Sequence, residues 1–274
     1  METQLFGNVD EPAVVVVSTW DPLLPAARGF LRQVVEYARA HGRNAVAVVL
    51  DPAPQRYLRG AANWAVYTSF HARVPYLLAE GLDGVLRVDF QQDDLKLGVY
   101  DLLDAVRTRI VIAEIWMRPR QTFGPDARGS AMAIAIYAKK HKIAWKRPAT
   151  PDTRVLATTV QQHLLRGEIA AAQAIVGFPP IWSRPESEDF EVSWRPGHYV
   201  VTPGVPGDSG VDSVGYSDRI AVELREDADG LSYVRWPARE IEQLTVLSGP
   251  GDAALHAETL PRYAEHSVAS MATE

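Results

Sequence analysis

The sequence predicts an α/β protein with a doubly wound parallel sheet, followed by a small antiparallel β module. Through the first two thirds of the 274-residue chain, short aliphatic runs alternate with stretches of helical periodicity. Such alternation is typical of parallel strands joined by crossover helices. Beyond residue 178 the chain changes to short β-like runs among Gly, Pro, Asp and Ser, a composition that indicates antiparallel hairpins.

The first strand and helix form the corner around which the chain is organised. Residues 14–17 are four valines, the pattern of a strand buried on both faces. After a turn at residues 18–25, apolar residues recur at helical spacing over residues 30–38. A strand, a short turn and a helix N-terminus bring backbone N–H groups together, so this corner is a candidate anion or nucleotide site.

The other elements of the α/β part follow in order along the chain. Buried strands are predicted at residues 45–50, 84–90 and 110–115, with an edge strand at 143–146. Helices are predicted at residues 61–80 (interrupted near Pro75), 94–107, 130–141, 158–166 and 169–176. Prolines 52 and 54 predict an exposed loop after the second strand, and Ser130 is a predicted N-cap.

The β module and the chain end complete the predicted organisation. Its β-like runs lie at residues 198–202, 219–224, 232–236 and 243–247. Asp229-Gly230 predicts a hairpin turn between two of them. We therefore predict three segments, which are an α/β domain (1–182), a small β module (183–250) and a tail (251–274).

Composition narrows the classes of protein that the chain can belong to. The absence of cysteine excludes disulfides, thiolate metal sites and cysteine nucleophiles, and it fits a cytoplasmic location. The seven histidines show no metal-ligand spacing, so we predict no metal site. No apolar run approaches the roughly 18 residues that span a bilayer, which predicts no membrane partner. The net charge of −6 argues against nucleic acid. Oligomeric state is left open, a homo-oligomer included.

Charge is distributed unevenly along the chain. Residues 107–147 hold ten Lys or Arg against two acidic residues, whereas residues 186–229 hold eleven acidic residues against three Arg. One interpretation is two solvated or mutually docking surfaces of opposite sign. The other is that the basic stretch meets a phosphorylated, nucleotide-like or otherwise anionic small-molecule ligand.

Several spaced motifs together resemble a known family. They read VVVVSTWDPLLPAAR, VVLDPAP, GLDGVLRVDF, FGPDARG and TTVQQHLLRGEIAAAQAIVG. Over roughly residues 12–180 the chain resembles the prokaryotic bifunctional riboflavin kinase and FAD synthetase, whose N-terminal module is an FMN adenylyltransferase. The resemblance implies a Rossmann-like sheet of the nucleotidyltransferase type. Residues 195–201, RPGHYVV, resemble a strand of the riboflavin kinase barrel, which implies a shortened barrel.

The chain departs from the family at its chemical positions. Of the family turn Gly-Asn-Phe-Asp-Gly only Asp21 is kept, and the two histidines of His-x-Gly-His become Leu24 and Ala27. In the family such imidazoles donate hydrogen bonds to phosphates, and losing one such donor costs about 10²–10³ in rate. Adenylyl transfer by this route is therefore expected to be lost. The riboflavin kinase Pro-Thr-Ala-Asn signature is also missing, so kinase activity is not expected.

The corner and the resemblance together give the candidate site residues. Asp21 is the catalytic candidate, with roles either in orienting the turn or as an acid or base. Trp20 is expected either in the core or stacked on a ligand ring. Gly124 opens a stretch with P-loop glycine spacing but no lysine, so we interpret it as a ligand-side loop of the family fold. The ligand-binding candidates are Ser18, Thr19, Trp20, Arg28, Asp51, Phe123, Gly124, Thr158 and Thr159.

Three functional hypotheses are consistent with these observations. The first is an FAD synthetase-like protein repurposed, for example in specialised metabolism, to bind a nucleotide, flavin or other phosphorylated ligand in a different reaction. The second is a non-catalytic binding or scaffold protein. The third is an FMN adenylyltransferase with an atypical site. Whether the chain is an enzyme is left open, although its ancestry would make it a transferase. The cofactor is left open too, with ATP and Mg²⁺ or a flavin as candidates.

Overall fold

The computed structural model describes residues 1–60, 63–119, 121, 131–151, 153–183, 189–191, 194–204, 220–226, 232–235 and 243–252. The chain forms two compact units. The first comprises Met1–Leu58 and Val74–Thr153, and the second comprises Arg59–Arg73 and Arg154–Glu274. Each unit contains one six-stranded sheet.

The sheet of the first unit is mostly parallel. Its strands are β1 (Glu2–Gly7), β2 (Ala13–Ser18), β3 (Asn44–Asp51), β4 (Gly84–Asp89), β5 (Ile112–Trp116) and β6 (Ala144–Lys146). They lie in the order β1-β4-β3-β2-β5-β6. All neighbouring pairs are parallel except β1 and β4, which are antiparallel.

Of the seven α-helices with described bounds, the first five lie between strands of this sheet along the chain, and the last two belong to the second unit. They are α1 (Pro25–Ala40), α2 (Pro54–Arg59), α3 (Phe70–Ala79), α4 (Val99–Arg107), α5 (Ala131–His141), α6 (Arg154–Arg166) and α7 (Ile169–Val176). A 3₁₀-helix at Gln92–Lys96 precedes α4. The amphipathic pattern that predicted α1 is confirmed, because Phe30, Leu31, Val34, Val35 and Ala38 are all buried.

The chain starts its parallel sheet in the middle and builds outward in both directions. It passes from β2 to β3 and β4 on one side, then crosses to β5 and β6 on the other. The strand order therefore reverses between β2 and β5. In open α/β sheets, ligands bind outside the carboxyl ends of the strands at such a switch point. The topology is compatible with a Rossmann-like α/β fold.

Both faces of this sheet are covered, which explains why its central strands are continuous apolar runs. Val15 and Val17 of β2 belong to a buried cluster with residues of α4 and α5. On the other face Phe30 of α1 packs against Trp116 of β5, with ring centroids 6.2 Å apart. The buried valine run predicted for residues 14–17 is confirmed, since all four are at most 4% exposed.

The second unit contains the antiparallel sheet. Its strands are β7 (Ile181–Ser183), β8 (Asp189–Glu191), β9 (Gly197–Gly204), β10 (Ile220–Glu226), β11 (Ser232–Arg235) and β12 (Gln243–Ser248). Their order is β7-β12-β9-β10-β11-β8, and each described pair is antiparallel. The predicted antiparallel β module is confirmed. Its predicted boundary at residue 183 stays a prediction. In the structure, α6 and α7 group with this sheet.

Aromatic rings form the centre of the second unit. Trp182, Trp194 and Tyr199 are all fully buried. Trp194 lies 4.6 Å from Trp182 and 5.5 Å from Tyr199, measured between ring centroids. The Trp194 Nε1–H donates to the Val66 carbonyl oxygen at 2.8 Å, so its polar atom is satisfied.

The residues that follow β12 form hydrogen bonds with the start of α7. The Asp252 carboxylate accepts hydrogen bonds from the backbone N–H groups of Ile169 (2.9 Å) and Ala170 (3.2 Å), the first two residues of α7. Gly251 packs so closely on the α6–α7 junction that a Cβ would lie 2.7 Å from the Arg166 oxygen. Asp252 therefore caps α7 from a distant point in the chain.

Two predicted helices differ in the structure. The helix predicted over residues 61–80 is limited to Phe70–Ala79, with Pro75 inside it. The backbone just before Phe70 forms hydrogen bonds with other segments of the chain. The Ala65 N–H donates to Gln161 (2.9 Å), and the Ser69 N–H donates to the Ile181 oxygen (3.0 Å). The helix predicted over residues 94–107 is divided at Gly98, whose N–H donates to Asp101.

The remaining differences are short elements. The loop predicted after β3 is brief, because α2 begins at Pro54, and Ala53 is buried rather than exposed. Strands β1, β7 and β8 were not predicted, since none of them shows a distinct apolar run. The predicted N-cap Ser130 and hairpin turn Asp229-Gly230 lie outside the described residues.

Candidate functional site

The candidate site lies at the switch point of the parallel sheet. Strand β2 ends at Ser18, and the chain turns there into α1. Strand β5 ends beside it at Trp116, and Met117 and Arg118 follow. We call the turn at residues 18–25, together with Arg118, Gln121 and Thr153, the switch-point corner.

Trp20 fills the centre of the corner with a strained backbone. Its φ angle is 54°, a conformation that bulky residues seldom adopt outside functional or constrained positions. The side chain is only 3% exposed, and its Nε1–H donates to the Val48 oxygen at 3.2 Å. The indole stacks near Phe30, with centroids 6.5 Å apart. Of its two predicted roles, the buried contacts support core packing.

Apolar side chains occupy the rest of the turn. Leu23 and Leu24 are each 2% exposed, and Ala27, in the first turn of α1, is 3% exposed. Leu24 and Ala27, which the predicted resemblance aligns with two histidines of the family motif, both lie in packed surroundings. Asp21 is also buried, at 8% exposure. Helix α1 begins at a proline, and its N-cap residue Leu24 makes no side-chain cap.

Arg118 brings a positive charge to this corner. Its Nη2–H donates to the Ser18 hydroxyl at 2.8 Å, and its Nη1–H donates to the Thr153 hydroxyl at 3.3 Å. The guanidinium carbon lies 5.3 Å from the centre of the Trp20 ring, within the range of a cation–π contact. Two neutral hydroxyls and one ring thus fix the orientation of the guanidinium.

Gln121 ties the loop after β5 to the end of β2. Its Nε2–H donates to the Val17 carbonyl oxygen, and its Oε1 accepts the backbone N–H of Arg118 at 3.1 Å. The side chain therefore bridges the two strand ends at the switch point. Gln121 therefore holds the backbone from which the Arg118 side chain extends.

The sequence candidates are only partly brought together. Ser18, Thr19, Trp20 and Asp21 follow one another in the corner. Arg28 lies on α1, where its Nε–H donates to the buried carboxylate of Glu80, a residue that also accepts from Arg32 at 2.6 Å.

The other candidates lie on further elements. Asp51 lies at the end of β3 and accepts from Arg87 at 3.1 Å. Thr158 and Thr159 lie on α6 in the second unit, and the Thr159 hydroxyl donates to the Val155 oxygen of its own helix at 3.0 Å. Phe123 and Gly124 lie outside the described residues.

Arg118, Gln121 and Thr153 were missed by sequence reasoning as site residues. Arg118 had been counted only within the basic stretch of residues 107–147. The available signal was its place two residues beyond a parallel strand that neighbours β2, since such strand ends converge on the ligand crevice. The partner hydroxyl of Ser18 is 100 residues away in sequence, so the contact itself had no local signature.

A second polar cluster on β5 has all the features of a structural ion-pair network. Glu114 is 1% exposed and accepts from Arg43 (2.8 Å), Tyr37 (2.9 Å) and the Trp116 indole (3.0 Å). Lys146 Nζ lies 3.5 Å from the same carboxylate and 3.6 Å from the Tyr37 ring centre. Hydrogen bonding to Tyr37 and the charge of Glu114 raise the pKa of Lys146, which keeps it cationic.

Two kinds of feature are absent from the described residues. These residues include no group of three or more His, Cys, Asp or Glu side chains that could hold a metal ion. Among the helices that the structure describes, none is long and apolar enough to cross a membrane.

Comparison with known proteins identifies the fold alone. No protein-family model matches the chain, and no curated protein matches it. The chain is similar to a crystal structure of a macrolide-efflux protein from Streptococcus pneumoniae, with a TM-score of 0.58 and 14% sequence identity. The similarity covers 93% of this chain and 95% of that one. At this identity we take the α/β architecture from the comparison and nothing about activity.

Proposed function

We propose that the chain is an FAD synthetase-like protein of the nucleotidyltransferase type that binds a nucleotide-like or flavin-like anionic ligand at the switch-point corner. Its ancestral adenylyl transfer through paired imidazoles is lost, and the pocket serves a different reaction. The observation that carries this proposal is the placement of Arg118, whose guanidinium is held between Ser18 and Thr153 over the Trp20 ring.

Arg118 supports anion binding through its charge and its rigidity. A guanidinium is charged at every physiological pH and recognises phosphate or carboxylate through parallel N–H donors. A side chain already ordered by three contacts loses less conformational entropy when a ligand arrives. Arg118 is therefore better suited to hold an anion than a mobile surface arginine would be.

The burial of the former imidazole positions supports the loss of adenylyl transfer. Leu24 and Ala27 have no side-chain donors, and both are almost fully buried. Charge that develops on a transferring phosphoryl group needs preorganised donors close by. The Arg118 guanidinium is the single cation that the described part of the corner would supply to an atypical FMN adenylyltransferase.

A specific observation favours the scaffold hypothesis as second candidate. Trp20, Leu23 and Leu24 pack the turn with apolar side chains that are at most 3% exposed. A turn filled in this way is stable without a ligand. A scaffold protein with no reaction of its own would need Trp20 for this packing, but it would not need the charge of Arg118.

Equilibrium titration of the full chain with FMN, FAD, ATP and riboflavin tests the proposal. Trp20 lies beside Arg118, so its fluorescence should respond to occupancy of the corner. We expect Arg118→Ala to weaken binding of a phosphorylated ligand by about 10- to 100-fold, the range for losing charge-assisted hydrogen bonds.

The matched control is Arg109→Ala. Arg109 precedes β5, at the end opposite Arg118, and likewise donates to a threonine hydroxyl, that of Thr3 at 2.9 Å. This variant should bind like the wild type. Absence of binding by any of the four ligands at millimolar concentration would favour the scaffold candidate. Formation of FAD from FMN, ATP and Mg²⁺ at more than a trace rate would favour the atypical adenylyltransferase.

A further inference from the structure

We propose that the protein forms a dimer in which the C-terminal end of α5 in one copy contacts the acidic stretch of the other copy, residues 186–229. The cations that make this contact are called the lysine cluster, and they are Lys139, Lys140 and Lys142. The inference does not depend on which ligand the switch-point corner binds. Three observations on α5 and one on the distribution of charge along the chain support it.

The lysine cluster carries positive charge that no neighbouring acid neutralises. All three side chains are exposed. In the part of the chain that the structure describes, no carboxylate forms an ion pair with any of them, whereas Arg107 lies 3.6 Å from Asp104 and Lys146 lies 3.5 Å from Glu114. The lysine cluster is therefore available to carboxylates of another molecule.

Lys142 occupies a backbone position that favours glycine. Its φ angle is 56°, in the left-handed region that is unfavourable for residues with a Cβ. The Ile143 N–H donates to the Ala138 oxygen at 2.8 Å, which ends α5 in the manner of a Schellman motif, where glycine is usual at this position. The helix dipole accounts for Lys139 and Lys140 in the last turn, but it does not require a strained lysine beyond it. This strain points to a role for the Lys142 charge outside the fold.

The outer face of α5 also carries two exposed apolar side chains. Met132 is 69% exposed and Ile136 is 55% exposed. They are four residues apart and Lys140 is four residues further on, so the three lie along one face of the helix. A small anion gains nothing from the apolar half of this strip. A strip that is apolar at one end and cationic at the other therefore fits a protein surface better than a small ligand.

The chain itself contains a complementary surface charge. Residues 107–147 hold ten Lys or Arg against two acidic residues, and residues 186–229 hold eleven acidic residues against three Arg, so the two stretches have equal and opposite formal charge. Within the acidic stretch, Asp189 and Glu191 belong to β8, which is the last strand of the antiparallel sheet. Because every copy has both stretches, two copies related by a twofold axis form both contacts at once and close as a dimer.

The mass of the full chain in solution, measured by sedimentation equilibrium, tests the proposal. We expect a dimer whose dissociation constant rises about tenfold or more between low salt and about 0.5 M NaCl, because salt screens the contact. Lys140→Glu should weaken the dimer about tenfold or more. Lys96→Glu makes the same change of charge at an exposed lysine of the 3₁₀-helix, and it should leave the dissociation constant unchanged.

Two further variants separate the interface from the fold. Lys142→Gly relieves the left-handed backbone, so its midpoint in urea should be no lower than that of the wild type, whereas its dimer should be weaker. Ile136→Ser should also weaken the dimer, because it removes an exposed apolar contact. Val155→Ser on α6 is its matched control, since Val155 is 75% exposed, and it should dimerise like the wild type.

Cross-linking identifies the residues in contact. A carbodiimide joins a lysine to a carboxylate, and a mixture of ¹⁴N- and ¹⁵N-labelled chains distinguishes links between copies from links within one copy. We expect links between copies from the lysine cluster to residues 186–229. The proposal is wrong if the protein is monomeric at every salt concentration or if Lys140→Glu and Lys96→Glu dimerise equally. It is also wrong if all such links join residues of the same copy, because the two stretches would then dock within one chain.

Discussion

Arg118 Nη2 lies 2.8 Å from the hydroxyl of Ser18, which joins the loop after β5 to the last residue of β2. The contact crosses the point at which the strand order of the sheet reverses. It places a cation in the same corner as the buried side chains of Leu23 and Leu24.

Removal of the Ser18 hydroxyl should loosen Arg118 without unfolding the protein. Ser18 is partly exposed, so we expect Ser18→Ala to change the free energy of unfolding by less than about 1.5 kcal/mol. Affinity for a phosphorylated ligand should fall by about three- to tenfold, because the guanidinium loses one of its fixed contacts. Urea unfolding and ligand titration measure the two effects separately. Unchanged affinity would show that the Ser18 contact does not position Arg118.

Gln121 should matter more for stability than its partial exposure indicates. Gln121→Met leaves the Val17 oxygen and the Arg118 N–H without their partner, and we expect a loss of about 1–3 kcal/mol. Gln33→Met on the exposed face of α1 is the matched control and should stay within about 0.5 kcal/mol of the wild type. Equal midpoints for the two variants in urea would contradict the bridging role of Gln121.

Introducing an imidazole at the turn should not produce adenylyl transfer. Leu24 is 2% exposed, so Leu24→His places a polar ring in an apolar environment and should destabilise the protein by about 2–4 kcal/mol. Ala40→His, at the exposed end of α1, is the control for histidine substitution itself. Unfolding curves and an FAD-formation assay provide the measurements. A stable Leu24→His variant that makes FAD would show that the corner still accommodates adenylyl transfer.

Tyr137 of α5, which donates to Asp104 of α4, should make the folded protein less stable in strong alkali. Burial and a hydrogen bond to Asp104, at 2.6 Å, raise the pKa of Tyr137 from 10.0 to about 12. Because the folded-state pKa exceeds the unfolded value, this contribution to stability is complete below about pH 10 and disappears as the pH rises towards 12.

Comparison of the wild type with Tyr137→Phe isolates that effect. The variant lacks the titrating hydroxyl, so the difference in unfolding free energy between the two proteins should shrink as pH rises from 10 to 12. Near pH 11 the two folded proteins should show the same tyrosinate absorbance, because Tyr137 of the wild type is still protonated. A difference that stays constant over this range would show that Tyr137 titrates normally.

Charge neutralisation at the second polar cluster should be costly. Glu114 is buried and accepts from Arg43, and Glu114→Gln leaves that arginine without its counter-charge. Because the Arg43 side chain is 29% exposed and keeps access to water, we expect a loss of about 1–3 kcal/mol. Asp93→Asn, which breaks an exposed pair with Lys96, should leave the free energy of unfolding essentially unchanged. Chemical denaturation measures both, and equal losses would contradict the structural importance of Glu114.

The sequence predicted the elements whose pattern depends on burial. The valines of β2 and the apolar face of α1 were recognisable because a two-sided core imposes continuous or helical periodicity. The helix predicted over residues 61–80 is wrong at residues 63–69, because tertiary bonds from Ala65 and Ser69 override local propensity. Edge strand β1 has no comparable signal, since its residues alternate irregularly between exposed and partly buried positions.

Sequence alone predicted only those residues of the candidate site that are close together along the chain. Ser18, Trp20 and Asp21 follow from the strand–turn–helix pattern. Arg28 was among the predicted ligand-binding residues, but only the fold shows that Glu80 is its partner. The contacts of Arg118 with Ser18 and Thr153 join separate segments of the chain, and a single sequence holds no record of such pairings.

The bond from Asp252 to the first amide of α7 has a practical consequence for dissecting this protein. A fragment that stops at the end of β12 would omit Asp252 and leave the start of α7 uncapped, at a cost of about 0.5–2 kcal/mol. Shortened versions of the second unit should therefore be cut after residue 252. The stability measured for a shorter fragment would reflect the loss of the Asp252 cap and not the stability of the β module itself.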